Sequence, residues 1–230
     1  MTDHIRHSGI FPPLELPVRL IGAGGIGAMT AMMLAKMSDG VVYVYDDDRV
    51  DEVNIATQFH ETADIGRYKA DAIAFRAMRQ SDTVTFVPVP ERYPSSRVTP
   101  AWLVISAVDS IQSRKAIWKD LSLVPTWHWY LDARMGAEKF ELYCIAREDI
   151  DWYAAVLAGQ ADGDIPDEPC TAKATFYTAA MAAGHIGKSI RMILTNNKPP
   201  VWLQHDIIGD RIEVARGYEP QGRKEVVQHS

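Results

Sequence analysis

A glycine-rich turn near the start of the chain constrains the fold more than any other feature. Residues 22–27 read GAGGIG and lie between the β-branched run Val18 to Ile21 and the apolar segment Ala28 to Met37. A glycine turn that joins a strand to a helix is typical of nucleotide-binding α/β folds. The pattern therefore predicts a strand, a phosphate-binding turn and a helix.

Each glycine of this turn has a separate expected role. Gly22 permits a tight turn, Gly24 lets a phosphate approach the backbone, and Gly27 allows the helix to pack closely on the strand. Gly25 lies beside Gly24 at the helix start, where free N–H groups and the helix dipole favour an anion. We expect all four to contribute to a nucleotide site.

The next segment completes a βαβ unit. Val41 to Tyr45 is nearly all apolar, as is typical of a parallel strand covered on both faces, and Gly40 before it is expected to cap the preceding helix. Asp46 follows the strand at the position where a carboxylate accepts hydrogen bonds from ribose hydroxyls. NAD, FAD and ATP all use such a unit, so the motif alone leaves the nucleotide open.

The rest of the chain continues the α/β pattern. We predict a Rossmann-like, doubly wound and mostly parallel sheet with helices on both faces and a few antiparallel strands in the C-terminal half. The predicted helices cover residues 69–79, 111–121 and 172–194, and the predicted strands cover 83–87, 101–107, 127–133 and 138–145, with one weak strand pattern after residue 199. Residues 159–169 form the clearest loop.

Length and pattern together predict one domain. The 230 residues divide into an N-terminal arm at 1–16, a single nucleotide-binding domain at 17–215 and a polar tail at 216–230. The hydrophobic fraction of 47% is high enough for a sizeable core.

Charge and cysteine content exclude several classes of partner. The net charge of −6 and the absence of a Lys/Arg-rich run argue against nucleic acid, whose binding depends on phosphate neutralisation. No apolar stretch is long enough for a membrane span, and the first residues lack an export signal. Two cysteines supply neither a disulfide framework nor a structural zinc site. We therefore expect a cytoplasmic protein.

Five ordered motifs resemble the ThiF/MoeB/HesA family, the ubiquitin-activating-enzyme-like adenylyltransferases. That family carries G-x-G-G-x-G, D-x-D-x-V after the second strand, N-x-x-x-Q, D-I-G-x-x-K-A at the next helix, and a later strand that ends in Asp and is followed by Arg. The matching residues are Gly22 to Gly27; Asp46, Asp48 and Val50; Asn54 and Gln58; Asp64 to Gly66 with Lys69; and Asp109 with Arg114.

The resemblance implies chemistry at a carboxylate. Family members bind ATP and Mg²⁺ and convert the C-terminal carboxylate of a small ubiquitin-like protein or peptide into an acyl-adenylate, with release of pyrophosphate; they are usually homodimers. It assigns Lys69 as the cation at the phosphate and Asp109 as the Mg²⁺ ligand.

The remaining matched residues would contact the nucleotide. Asp46 would anchor the ribose, Asp48 would lie beside it, and Asn54 and Gln58 would orient phosphate or adenosine groups. Bland alternatives stay open, because Lys69 is also explained as a solvated lysine and Asp109 as a helix cap.

The chain departs from the family pattern at one charged position. Thr57 stands where most members have the Arg of N-x-x-R-Q, and Arg67, Arg134 and Arg6 are candidates to replace that cation. The C-x-x-C pairs that hold structural zinc in many members are also absent, so no zinc is expected.

The two cysteines differ as candidates for acyl transfer to a thiol. Cys144 lies in the apolar run LYCI and is expected to be a small buried side chain. Cys170 follows the acidic loop at a helix start, which favours a thiolate although the acidic residues oppose it. It is the candidate nucleophile, and a structural residue at the helix start is the alternative.

Two other functions stay open. A nicotinamide-dependent oxidoreductase explains the glycines and Asp46 but not Asn54, Gln58, Lys69 or Asp109. A non-catalytic nucleotide-binding partner subunit is suggested by Thr57.

Overall fold

A nine-stranded sheet forms the centre of the molecule. The computed structural model describes residues 9–97, 99–160, 175–216 and 225–228, the last of these as backbone only. The strands are β1 Val18–Ile21, β2 Val41–Tyr45, β3 Thr85–Val89, β4 Leu103–Ser106, β5 Trp129–Gly136, β6 Lys139–Ala146, β7 Trp202–Asp206, β8 Arg211–Ala215 and β9 Glu225–Gln228. Their order across the sheet is β3-β2-β1-β4-β5-β6-β7-β8-β9.

The sheet has a parallel half and an antiparallel half. Strands β1 to β5 pair in parallel, whereas β6 to β9 extend the sheet by antiparallel pairing. Because β1 lies between β2 and β4, the chain runs outward in both directions from it, which opens a crevice at the carboxyl ends of β1 and β4. The doubly wound, mostly parallel fold with C-terminal antiparallel strands is confirmed.

Helices cover both faces of the sheet. They are α1 Gly25–Met37, α2 Lys69–Met78, α3 Ile111–Leu123, α4 Ile150–Ala158 and α5 Phe176–Leu194. Buried side chains of α1, α2 and α5 join one core cluster, and those of α3 and α4 join a second cluster. The sheet therefore separates two apolar layers, as the period-2 alternation of its strands requires.

Small residues let α5 cross α1 closely. A side chain added at Gly187 of α5 would lie 3.2 Å from the Met33 side chain of α1, so glycine provides the space at this crossing. Thr178, Ala182 and Ile186 of α5 are buried on the same side. This packing brings α5 across the helix that follows the glycine turn.

Several predicted boundaries are corrected by the structure. Helix α1 begins at Gly25 rather than at residue 28, and β3 runs two residues later than predicted. Helix α4 was not predicted, and the weak strand pattern after residue 199 becomes three strands. Gly40 does not cap α1; Ser38 occupies that position, and a side chain at Gly40 would lie 2.6 Å from the Glu15 carbonyl oxygen.

The last residues of the expected N-terminal arm pack against the domain. Leu14 is fully buried in the core, its N–H donates to the Met37 carbonyl at 2.9 Å, and its own carbonyl accepts from Asp39. Within the described ranges, no helix combines the length and apolar character that crossing a bilayer requires.

Candidate functional site

The candidate site lies at the carboxyl edge of the parallel half. Ile21, the last residue of β1, is in register with Tyr45 of β2 and with Ser106 of β4. Three connections therefore leave the sheet side by side, and they begin with Gly22, Asp46 and Ala107. These connections carry most of the residues singled out in the sequence.

Steric contacts explain the first and last glycines of the turn. Gly22 has φ +96°, and a side chain there would lie 2.6 Å from the Ala107 carbonyl oxygen. A side chain at Gly27 would lie 1.9 Å from the Gly22 carbonyl oxygen. Both positions therefore require glycine, one for its backbone conformation and both for close backbone approach.

The middle glycines open the start of α1. Gly24 is the N-cap of α1, no side chain of the described residues caps the helix, and no acidic residue lies in its first turn. The N–H groups of the first turn are therefore available to an anion. Gly25 also has a packing role, because a side chain there would lie 3.2 Å from Met135 Cε and 3.5 Å from Ala179 Cβ.

Asp46 is tied to the glycine turn. Its Oδ2 accepts from the Ala23 N–H at 2.6 Å, and its Oδ1 accepts from the Asp48 N–H at 2.9 Å. Burial raises the pKa of Asp46, and the Ala23 hydrogen bond and the Lys69 charge offset part of that rise. The carboxylate thus stands at the end of β2, where a ribose anchor is expected.

Lys69 is buried and ion-paired. Its Nζ lies 2.8 Å from Asp48 Oδ2, and its side chain is 9% exposed, whereas that of Asp48 is 68% exposed. The Lys69 N–H also donates to the Asp48 carbonyl at 2.8 Å. A solvated lysine does not fit this environment, and the second carboxylate of the D-x-D motif holds the cation in place.

Thr57 and Gln58 lie against the glycine turn. Gln58 Nε2 is 4.0 Å from the Cβ position of Gly24, and the Thr57 carbonyl oxygen is 3.6 Å from that of Gly25. The Gln58 Oε1 atom is buried without a hydrogen-bond partner among the described residues. Asn54 instead uses its Oδ1 to accept from the Asp51 N–H at 2.9 Å, which closes a short 3₁₀ turn.

Sequence reasoning missed His60, which also contacts the turn. His60 is 5% exposed, and its Nε2 lies 3.0 Å from the Ala23 carbonyl oxygen. Its partner is a backbone carbonyl 37 positions away, so no spacing in the chain signals the contact. A histidine two residues after Gln58 is the one hint that the sequence offers.

Asp109 lies in the connection that follows β4 and forms no side-chain hydrogen bond or ion pair with the described residues. Ser110, rather than Asp109, caps α3, because Ser110 Oγ accepts from the Ser113 N–H at 3.1 Å. Asp109 is exposed and contacts no charged partner among the described residues. The alternative that Asp109 serves as the helix cap is therefore wrong, and its carboxylate is available to a cation.

Arg134 belongs to a buried ion network. Both its Nη2 and its Nε lie 2.9 Å from Asp132 Oδ2, and its Nη1 donates to Gln160 Oε1 at 2.7 Å. Asp132 also accepts from Arg114 and from the Tyr153 hydroxyl. The guanidinium of Arg134 is therefore committed to Asp132, which does not favour it as the replacement for the missing arginine.

Arg114 connects this network to Asp109. Its Nη2 donates to the carbonyl of Val108, the residue before Asp109, and its side chain is 3% exposed. The sequence carries a signal for such a network. Asp132 is a carboxylate within an otherwise apolar run, and Arg134 follows two residues later on the same face of the strand.

The other singled-out residues lie away from the turn or outside the described ranges. Arg67 is exposed and lies 3.8 Å from Asp64. Cys144 is 2% exposed, and burial raises the pKa of its thiol to about 12, as suits a structural side chain. Arg6 and Cys170 lie outside the described residues.

Two cavities do not include the glycine turn. One of about 470 Å³ is lined by Arg49, Tyr68 and Phe75 among others, and one of about 220 Å³ lies between α5 and the antiparallel strands. The contacts around residues 22–27, rather than either cavity, therefore define the candidate site.

Curated relatives match the region that contains this site. The chain is 30% identical over 103 residues to "Adenylyltransferase and sulfurtransferase UBA4" of Meyerozyma guilliermondii, covering 43% of this chain and 24% of that protein. It is 32% identical over 119 residues to "SAMP-activating enzyme E1" of Haloferax volcanii, covering 50% of this chain and 44% of that protein. The chain thus spans less than half of either relative.

A solved structure shares the fold over nearly the whole chain. The crystal structure of E. coli MccB with ATP superposes with a TM-score of 0.62 at 13% identity, covering 93% of this chain and 63% of that one. At this identity the likeness concerns the fold alone.

The family profile covers the glycine turn, the Asp46 to Lys69 segment and Asp109. Residues 14–120 match the profile described as "ThiF family". The match is confined to this segment, which is therefore similar to members of the ThiF family.

Proposed function

We propose that this protein is an ATP-dependent adenylyltransferase that activates the C-terminal carboxylate of a small ubiquitin-like protein or peptide. One observation carries the proposal: residues from separate motifs meet at the glycine turn, where Asp46 accepts from the Ala23 N–H and Gln58 lies beside Gly24, while the charge of Lys69 acts on Asp46. The name of the Haloferax relative, which refers to SAMP activation, supports this class of acceptor.

The residues present fit a nucleotide. Among the described residues, no side chain caps the N–H groups at the start of α1, which suit a phosphate, and the buried Gln58 Oε1 has no hydrogen-bond partner. Asp46 suits the ribose hydroxyls, and Lys69 supplies a buried positive charge close to Asp46. A positioned cation stabilises the negative charge that develops during transfer at a phosphorus atom.

Asp109 suits Mg²⁺, whose preferred ligands are carboxylate oxygens. The ion would neutralise phosphate charge when bound. In this proposal Arg114 orients the backbone just before Asp109 through its hydrogen bond to the Val108 carbonyl. We include a homodimer and a cytoplasmic location in the proposal, as the family resemblance implies.

The test is exchange of radiolabelled pyrophosphate into ATP in the presence of a candidate acceptor ending in Gly-Gly. We expect Asp109→Asn to lower the exchange rate by roughly 100-fold or more, because a ligand of the catalytic ion is lost. Asp47→Asn is the matched control, since Asp47 is an exposed carboxylate at the same edge of the sheet. Equal exchange rates for wild type and Asp109→Asn would exclude the role of Asp109.

Thr57 favours a second candidate function. The Thr57 carbonyl lies beside Gly25, so the position at which most ThiF-like proteins have arginine is next to the turn and carries no charge here. Arg134 does not replace that charge, because it is paired with Asp132. A non-catalytic nucleotide-binding partner subunit would show ATP binding without exchange by the purified chain. Exchange by the purified chain with the candidate acceptor, but without any partner subunit, would exclude this second candidate.

A further inference from the structure

Both peptide groups that flank Ala23 are held by side chains. The Ala23 N–H donates to Asp46 Oδ2 at 2.6 Å, and the Ala23 carbonyl oxygen lies 3.0 Å from His60 Nε2. Asp46 and His60 come from separate parts of the chain, one at the end of β2 and the other in the loop before α2. Together they hold the glycine turn at Ala23 from two directions.

The geometry of the peptide bond determines where the neighbouring backbone N–H and carbonyl groups point. In a trans peptide the carbonyl and the N–H point in opposite directions. The Gly22–Ala23 peptide obeys this rule, because its N–H meets Asp46 while its carbonyl oxygen faces Gly27, 1.9 Å from the Cβ position there.

The same rule applies to the next peptide, between Ala23 and Gly24. Its carbonyl points to His60, so the Gly24 N–H points away from His60. That N–H has no acceptor among the described residues, and Gly24 is the N-cap of α1. It is therefore one of the groups that a bound phosphate would use.

His60 has the protonation state that this contact needs. A carbonyl oxygen only accepts, so Nε2 carries the hydrogen, and Nδ1 is buried without a partner among the described residues. Burial lowers the pKa of His60; the Ala23 hydrogen bond and the Asp64 charge oppose this, while Lys69 and Arg76 add to it. The imidazole is thus neutral, with its proton on Nε2.

We propose that His60 is a positioning residue that directs the Gly24 N–H toward the phosphate of a bound nucleotide. The inference rests on the proposed function in that the ligand is ATP. It adds a residue that the motifs do not contain, and it assigns that residue to nucleotide affinity rather than to the chemical step.

Two substitutions at this position separate the hydrogen bond from packing. His60→Leu fills the space but cannot donate, whereas His60→Gln retains a donor at a position similar to Nε2. We expect His60→Leu to weaken ATP binding by about tenfold, the factor that one ordinary hydrogen bond supplies. We expect His60→Gln to recover most of that loss. The measurement is the Kd of ATP by calorimetry.

The control is His205→Leu. His205 is also 5% exposed, but it lies on β7 and packs against Phe140 and His185. Loss of this histidine is expected to lower the thermal midpoint and to leave the Kd of ATP unchanged. In the ligand-free protein, the Gly24 amide resonance is expected to move in His60→Leu and to stay near its wild-type position in His60→Gln.

The outcomes distinguish this inference from the proposed function. Folded His60→Leu that binds ATP as tightly as wild type overturns the inference, as does His60→Gln that is as weak as His60→Leu. Wild-type protein that binds ATP but shows no pyrophosphate exchange overturns adenylyl transfer and leaves the role of His60 intact. Wild-type protein that does not bind ATP overturns both.

Discussion

His185 illustrates how one partly buried side chain couples stability to pH. It lies on α5 with its ring 5.3 Å from Phe140 and 5.8 Å from His205. Burial, with the nearby Lys188 and His205 charges, lowers the pKa of His185 to about 4 from the ordinary 6.5. Between these values the unfolded chain binds a proton that the folded chain does not, so stability falls as pH falls from 6.5 toward 4.

We expect His185→Phe to reduce this pH dependence. The variant keeps a ring against Phe140 and removes the titrating group, so its free energy of unfolding should fall less than that of wild type between pH 6.5 and 4.5. The expected difference is of the order of 1 kcal/mol after solvent screening. Urea denaturation at several pH values measures it. His128→Phe is the control, because His128 is an exposed histidine that stacks on another ring, that of Trp102. Equal slopes for wild type and His185→Phe would contradict the assignment.

Residue roles were predictable where a motif fixes the distance to the backbone. Gly22 and Gly27 follow from the spacing of the turn, and their close contacts with Ala107 and with Gly22 itself give the reason. The contact of His60 with Ala23 depends on how a loop folds back over the turn, which no local pattern records.

At the scale of elements, one buried carboxylate joins β5 to two helices. Asp132 is fully buried and accepts from Arg114 of α3, from Arg134 of β5 and from Tyr153 of α4. Within this group two guanidinium cations share one carboxylate, so both depend on Asp132 as their counter-charge. Burial lowers the pKa of Arg134, but the charge and hydrogen bond of Asp132, together with the neighbouring Tyr153 and Tyr143, outweigh burial and raise it.

We expect Asp132→Asn to destabilise the protein by about 3–5 kcal/mol, because two buried guanidinium groups lose their counter-charge. Urea denaturation measures the change. Glu148→Gln is the control, since Glu148 pairs with Lys198 at 3.0 Å on the exposed surface, and no resolvable change is expected there. A similarly small effect of Asp132→Asn would show that the network does not stabilise the fold.

Elements with a strong local pattern matched the prediction, and weak ones did not. Helix α2 begins at Lys69 as expected, because its apolar residues recur with helical spacing. Helix α4 has only nine residues, and its N-cap Asp149 makes no side-chain capping hydrogen bond with the described residues, so its start signal is weak. Strand β8 pairs with β7 and β9 pairs with β8, so both form only through partners that tertiary context supplies.

At the scale of the whole molecule, one core spans both halves of the sheet. A single apolar cluster includes Leu20 and Val44 from parallel strands and Leu142, Leu203 and Val214 from antiparallel strands. Helices α1 and α5 pack on that cluster and on each other. Because neither half has a separate core on this face, we expect them to unfold together.

This continuity predicts how a ligand at one edge affects the distant strands. Under the proposed function ATP binds the folded state, so at 100 times its Kd it should raise the free energy of unfolding by about 2.7 kcal/mol. Because the core is shared, hydrogen exchange in moderate urea should show this increase for β7 at Trp202–Asp206 as well as for β1 at Val18–Ile21. NAD at the same concentration should change neither strand, since the motif residues beyond the glycines and Asp46 suit ATP. Protection of β1 alone would mean that the halves unfold independently, and protection by NAD instead of ATP would favour an oxidoreductase.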